Sequence, residues 1–133
     1  SHGNIDGDCH MVRSNDLERA KTVLAKACEL GKRDWADIEA KIASSYAQLW
    51  DCGPAMLVTE VTIDNKCNIA LAGGSGARSW FRDAENAVRD WSIKHGCTAM
   101  TLWGRLGWQR ILPHWTKTGV DDGLVCLELS YEK

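Results

Sequence analysis

No uninterrupted apolar run in the 133 residues approaches the roughly 20 that a membrane-spanning helix needs, so no such helix is expected. The residues before Met11 hold no basic segment followed by an apolar one, so they do not read as a secretory signal. Residues 1–10 are expected to be a flexible or vector-derived leader, with the native protein starting at Met11 and residues 11–133 forming one domain. Positive charge is not in surplus: 16 Lys and Arg stand against 18 Asp and Glu, for a net charge of −2 with the signs interspersed. A nucleic-acid-binding module, which would need a clustered basic surface, is therefore the least favoured class. There is no C-x-x-C and no histidine at ligand spacing, so a metal site is not expected. The six cysteines, Cys9, Cys28, Cys52, Cys67, Cys97 and Cys126, lie 15 to 30 residues apart. Several fall at apolar positions, where a thiol behaves as a small hydrophobe, and they read as reduced and unpaired.

Composition is otherwise that of an ordinary globular domain, with 44% hydrophobic and 26% charged residues. Leu17, Ala20, Val23, Leu24, Ala27 and Leu30 recur at three- and four-residue steps and predict a helix over residues 16–30. A second helix, 34–44, carries Trp35, Ile38 and Ile42 on one stripe with Asp34 as its cap. Strands are expected over 46–52, 55–63 and 66–72, the last two joined by a tight turn at Asp64-Asn65. A glycine-rich break at 73–76 leads into a long helix over 79–94, with Phe81, Ala84, Ala87, Val88 and Trp91 facing inward. A strand at 98–103, a short helix at 106–115 and a strand at 123–131 complete the chain. The fold class is α/β (α+β), in the order α-α-β-β-β-α-β-α-β. The first three strands are antiparallel, and the crossover from 66–72 to 98–103 is long enough for a parallel pair. A mixed sheet with helices on both faces follows. Most of the seven tryptophans are expected in the core, Trp91 and Trp103 among them, because each falls on the apolar phase of its element.

Several local motifs carry a more specific signal: Gln48-Leu49-Trp50, Val58-Thr59-Glu60-Val61, Gly73-Gly74, Trp91-x-x-x-His95-Gly96-Cys97 and Gly104-Arg105-x-Gly107-Trp108-x-Arg110. With the element order, over residues 34–132, they resemble small bacteriophage proteins of the GNAT (N-acetyltransferase) fold. Relatives of that group include internal virion proteins and acyltransferases. The resemblance implies acetyl-CoA or CoA as ligand, its pyrophosphate resting on backbone amides at the start of a helix. The stretch Leu71-Ala72-Gly73-Gly74-Ser75-Gly76 fills both glycine slots of the family's Arg/Gln-x-x-Gly-x-Gly/Ala pattern, with Leu71 in the leading polar slot. Gly74, Ser75, Gly76, Ala77 and Arg78 are the candidate cofactor-binding residues, the alternative being a plain strand-to-helix turn. Glu60, an acid in an apolar strand, is the candidate base; it could equally be a strand glutamate paired with Arg105. The tyrosine that often protonates the thiolate in this family is missing from the last helix, leaving His114 as the candidate acid. Arg105 and Trp108, between a strand end and a helix start, are further candidates, Arg105 as an anion clamp or a loop latch, Gly107 as the residue that lets Trp108 pack closely.

Two functions follow from the resemblance. One is a phage-encoded, degenerate acyltransferase acting as a virion, assembly or partner-binding protein, with a phage or host protein as partner. The other is an active acetyl-CoA-dependent N-acetyltransferase. Either would work in host cytoplasm or the virion. They differ in one expectation: an enzyme needs the strands at 66–72 and 98–103 to diverge into an open cleft, whereas tryptophan or Leu71 would plug the cleft of a non-enzyme.

Overall fold

In the computed structural model the described residues are 11–53, 55–74 and 76–131; the expected leader and Ser75 lie outside them. In chain order the elements are β1 (Val12–Ser14), α1 (Leu17–Val23), α2 (Ala25–Leu30), α3 (Trp35–Ala43), β2 (Ala47–Asp51), β3 (Ala55–Val61), β4 (Lys66–Gly74), α4 (Ala77–Lys94), β5 (Ala99–Gly104), α5 (Trp108–Ile111), β6 (Thr116–Asp121) and β7 (Leu124–Ser130). The strands form one sheet in the order β1-β2-β3-β4-β5-β7-β6. Only β4 and β5 run parallel, as the long crossover through α4 predicts; every other pair is antiparallel. One face carries α4 and α5 over Trp50, Leu57, Cys67, Ile69, Met100, Leu102 and Leu127. The other carries α1, α2 and α3 over Leu49, Met56, Val58 and Leu71.

Local chemistry explains most boundaries. Asp16 caps α1 by accepting the Arg19 N–H at 3.1 Å, and Asp34 caps α3 by accepting from Ala36. The β3–β4 turn closes with the Thr62 N–H donating to the Lys66 carbonyl at 2.8 Å, and Asn65 takes the left-handed conformation at φ 63°. Arg19 ties α1 to the β2–β3 corner through the Asp51 carboxylate and the Gly53 carbonyl. Burial pushes the Asp51 carboxyl up, but the Gly53 N–H and the Arg19 guanidinium pull harder, so it lies below the usual carboxylate range.

Five expectations are corrected. The predicted helix over 16–30 is broken at Leu24, which leaves α-helical geometry while staying fully buried. The break inserts no residue, so the apolar period runs through it unchanged. A first strand, β1, exists although its three residues carry no alternation; it is held by backbone pairing with β2. The helix expected at 106–115 shrinks to the four residues of α5, and the residues after it form the edge strand β6, whose polar sequence pairs only with β7. The element order gains a strand at each end accordingly. Trp103 is 45% exposed rather than core. Its neighbour Leu102 takes the face covered by α4, and alternation turns Trp103 to the face that α1–α3 leave uncovered at this strand end.

Candidate functional site

A single extra residue in β4 makes the site. Along β3, Val58 faces Leu71 while the next residue, Thr59, faces Ile69, so Ala70 is bulged out of the ladder. The bulge reverses the phase of the strand: Ile69 points into the α4 core and Leu71 into the α1–α3 core. The same residue marks where β4 leaves β5, because the parallel ladder runs Lys66↔Ala99, Cys67↔Met100, Asn68↔Thr101, Ile69↔Leu102 and stops. Beyond it β4 continues against β3 to Gly74, and β5 continues against β7 to Gly104. Between the separated strands lies a cavity of about 390 Å³, walled by Ala70 to Ala72, by Trp103 to Arg105, by α2 through Ala27 and Leu30, and by the β6–β7 turn through Asp122 and Leu124. Leu71 lines this cavity while packing in the core under α1–α3.

Trp108 stands at the inner wall, half-buried, edge-on to Phe81 at 5.2 Å between ring centroids. It can lie there because the strand ends in Gly104: a Cβ on Gly104 would sit 2.5 Å from Trp108 Cδ1. Gly107, expected to serve that purpose, has nothing within 4 Å of a built Cβ. Arg105 is exposed and makes no ion pair among the described residues. Asp122 pairs with Lys32 at 3.6 Å, but both side chains are almost wholly exposed, so that pair contributes little.

Two to four residues beyond the cavity wall, β4 turns into α4 through Gly74 at φ 116° and Gly76 at φ 73°. Side chains are strained at both angles, and glycine is not. Gly76 is the N-cap of the 18-residue α4, and among the described residues no side chain caps it, so the amides of the first turn, at Ala77 and Arg78, are left to the positive end of the helix dipole. Ser79 donates its hydroxyl to the Gly76 carbonyl at 2.7 Å and holds that turn in shape. Arg78 is exposed beside it.

The remaining candidates are placed elsewhere. Glu60 faces α3 and the connection before it, where it accepts from Arg33 at 3.1 Å and Lys41 at 3.3 Å rather than from Arg105, and it lines no described cavity. His114 bonds the Glu85 carboxylate through Nε2 at 2.9 Å; the same oxygen accepts from Trp115 Nε1 at 3.0 Å, so the pair latches the chain after α5 onto α4. The structure thus brings together Gly74, Gly76, Ala77 and Arg78 at one end of β4 and Arg105 with Trp108 across the cavity, and leaves Glu60 and His114 outside it. Cys28, Cys67, Cys97 and Cys126 are buried free thiols, and burial pushes the Cys67 thiol up to about 12. Among the described residues no three His, Cys, Asp or Glu gather as metal ligands, and no helix is long and apolar enough to cross a membrane.

No family model and no curated protein matches the sequence. Solved structures do. A GNAT-family acetyltransferase from Staphylococcus aureus superposes with a TM-score of 0.67 at 9% identity, covering 92% of this chain and 99% of its own. The fold is that of the GNAT acetyltransferases. The ribosomal-protein-S18-alanine N-acetyltransferase of Escherichia coli matches with a TM-score of 0.64 at 13% identity, over 92% of this chain and 94% of its own. An acetyltransferase of Bacillus subtilis solved in complex with CoA matches with a TM-score of 0.64 at 10% identity, over 94% and 100%. At these identities the likeness shows the fold alone.

Sequence reading missed the bulge and the role of Gly104. The bulge carries no signal, since Cys67, Ile69 and Leu71 alternate as they would in an unbroken strand. Gly104 was visible as a glycine at a strand end, but its neighbour is set by the path of the chain through residues 105–107.

Proposed function

We propose that this protein binds coenzyme A or acetyl-CoA in the cleft between β4 and β5, and that acyl transfer is the activity the site serves. The separation of β4 from β5 after Ile69 and Leu102 carries this reading, since it opens a cavity where an unbulged strand would have continued the sheet. The residues present suit such a ligand. Backbone amides at Ala77 and Arg78 would hold the pyrophosphate, with Gly74 and Gly76 permitting its close approach and Arg78 adding a cation. The edge of β4 that β5 abandons, at Ala70 to Ala72, has backbone polar groups to offer an amide-bearing arm. Acetyl-CoA would supply an activated thioester. The chain's own contribution is to orient it, to exclude water with Trp103 and Trp108, and to admit an acceptor past Arg105 and Asp122. Glu60 and His114 take no part in this proposal, because each is engaged by other residues outside the cavity.

A second reading, that of a phage-encoded virion or assembly protein in host cytoplasm or the virion, keeps the ligand site but acts by binding a protein partner. It draws on the exposed Leu30, Trp103, Leu106 and Val120, apolar side chains on elements that wall the cavity or adjoin its walls. Calorimetric titration of the folded chain with CoA and acetyl-CoA tests the site. Saturable binding is expected, lost in Gly76→Val and weakened about tenfold, or roughly 1.4 kcal/mol, in Arg78→Ala. A wild-type chain that stays folded and ignores millimolar CoA overturns the proposal. Release of the CoA thiol across a panel of amines then separates the readings: turnover favours the transferase, binding without turnover the partner protein.

A further inference from the structure

Trp103 turns to the face of the sheet that carries α1–α3, and on that face α2 gives Ala27 and Leu30 to the same cavity. The indole lies along the sheet rather than standing out from it. A Cβ on Gly119, two strands away on β6, would sit 3.8 Å from its Cη2. One face of the ring therefore rests on the sheet and the other is open, in keeping with its 45% exposure. Leu30, itself half exposed, stands on the helix that borders this open face. The charged groups of the wall are Arg105 and Asp122, both exposed. Asp122 is also paired with Lys32 at 3.6 Å, a bond that joins the chain just after α2 to the β6–β7 turn. Among the described residues the wall holds no histidine, glutamate, tyrosine, lysine or cysteine.

We propose that the acceptor is an aromatic amine, uncharged at neutral pH, and that Trp103 selects it by stacking on its ring. The inference rests on the coenzyme reading above and deepens it. A flat ring on the open face of the indole buries apolar area on both partners and takes the offset arrangement that aromatic pairs prefer. Ala27 and Leu30 cover it from the helix side. The protonation of the nitrogen narrows the class further. An alkylammonium like that of lysine titrates near about 10.4, so fewer than about one in a thousand is free to react at about pH 7 without a base. The described wall encloses none: Asp122 is 80% exposed, and Glu60 and His114 are engaged elsewhere. An arylamine needs none, because its lone pair is delocalised into the ring and stays unprotonated. Its nitrogen attacks the thioester carbonyl carbon, and the C–N bond forms as the C–S bond breaks. The one proton that the nitrogen sheds passes through solvent to the sulfur, and the products are the N-acetyl arylamine and the free thiol of CoA.

Three amines test this on the full chain: p-toluidine, benzylamine, which keeps the ring but carries a basic nitrogen, and cyclohexylamine, which has no aromatic ring. Calorimetry on the CoA-saturated chain is expected to show p-toluidine binding and cyclohexylamine failing to bind. Thiol release from acetyl-CoA with p-toluidine should hold steady between about pH 6.5 and about pH 8.5, while the far slower benzylamine reaction rises about tenfold per pH unit. Trp103→Ala should weaken p-toluidine about three- to tenfold and change the affinity for CoA by less than about twofold, and Trp103→Phe should recover part of the loss. Equal kcat/KM for p-toluidine and cyclohexylamine at neutral pH overturns the inference. So does a folded Trp103→Ala variant that binds p-toluidine as wild type does. A p-toluidine rate that climbs with the titration of a protein group overturns it too, since the chain then supplies a base. If CoA binds but no amine turns over, the inference falls and the coenzyme site stands. If the folded wild type binds no CoA, the coenzyme reading and this inference fall together.

Discussion

The two halves of β4 teach different things. From Lys66 to Ile69 the strand is a closed seam, paired on both edges, with Cys67 and Ile69 buried and Asn68 accepting from the Thr101 hydroxyl at 2.8 Å. From Ala70 onward one edge is abandoned, and the neighbouring residues Leu102 and Trp103 on β5 show the consequence: the first is 2% exposed, the second 45%. The closed half includes Lys66 and Asn68, the open half only Ala, Leu and Gly. What divides their pairing is one bulged residue, Ala70, which spends a ladder position where the cavity opens. The open half is not loose, however. On its helix side a Cβ at Gly73 would lie 2.5 Å from the Val23 carbonyl oxygen.

The contrast can be broken by substitution. Leu102→Ala, in the last closed pair, should cost about 2–5 kcal/mol in denaturant unfolding, through lost burial and the cavity left behind. A loss below about 1 kcal/mol would show that the seam is already open at that point. Gly73→Ala comes next, at about 1–3 kcal/mol, because the obstacle is backbone and α1 must lift from β4 to relieve it. If that variant melts with wild type, α1 does not pack on the open half as closely as described. Trp103→Ala should be the smallest, about 1 kcal/mol despite the larger side chain, since much of the indole is already in water. A cost equal to that of Leu102→Ala would restore Trp103 to the core and close the cleft.

Much of the scaffold was legible because its signals are local. The stripe of Trp35, Ile38 and Ile42, the cap at Asp34, the turn at Asp64-Asn65 and the glycines at 74 and 76 each act over a few residues, and each lands where expected. The long crossover between residues 66–72 and 98–103 made the parallel pair legible too. Trp103, β1 and β6 were not legible for a common reason. Burial of Trp103 depends on which helix covers which face, and short edge strands such as Thr116–Asp121 exist only because a partner strand offers its backbone. Glu60 looked like a buried acid in its strand, and only folding sets Arg33 and Lys41 against it.

The sequence by itself determined the mixed sheet, its helices on both faces and the glycine entry to α4, because chain connectivity and short-range sterics decide those things. Tertiary structure alone decided that β4 parts from β5 and that Gly104 rather than Gly107 receives Trp108. The physical reason is that a bulge preserves the alternation of the residues on either side of it. Contact across a sheet or between a helix and a loop depends on distance in space, which the order of residues along the chain does not contain.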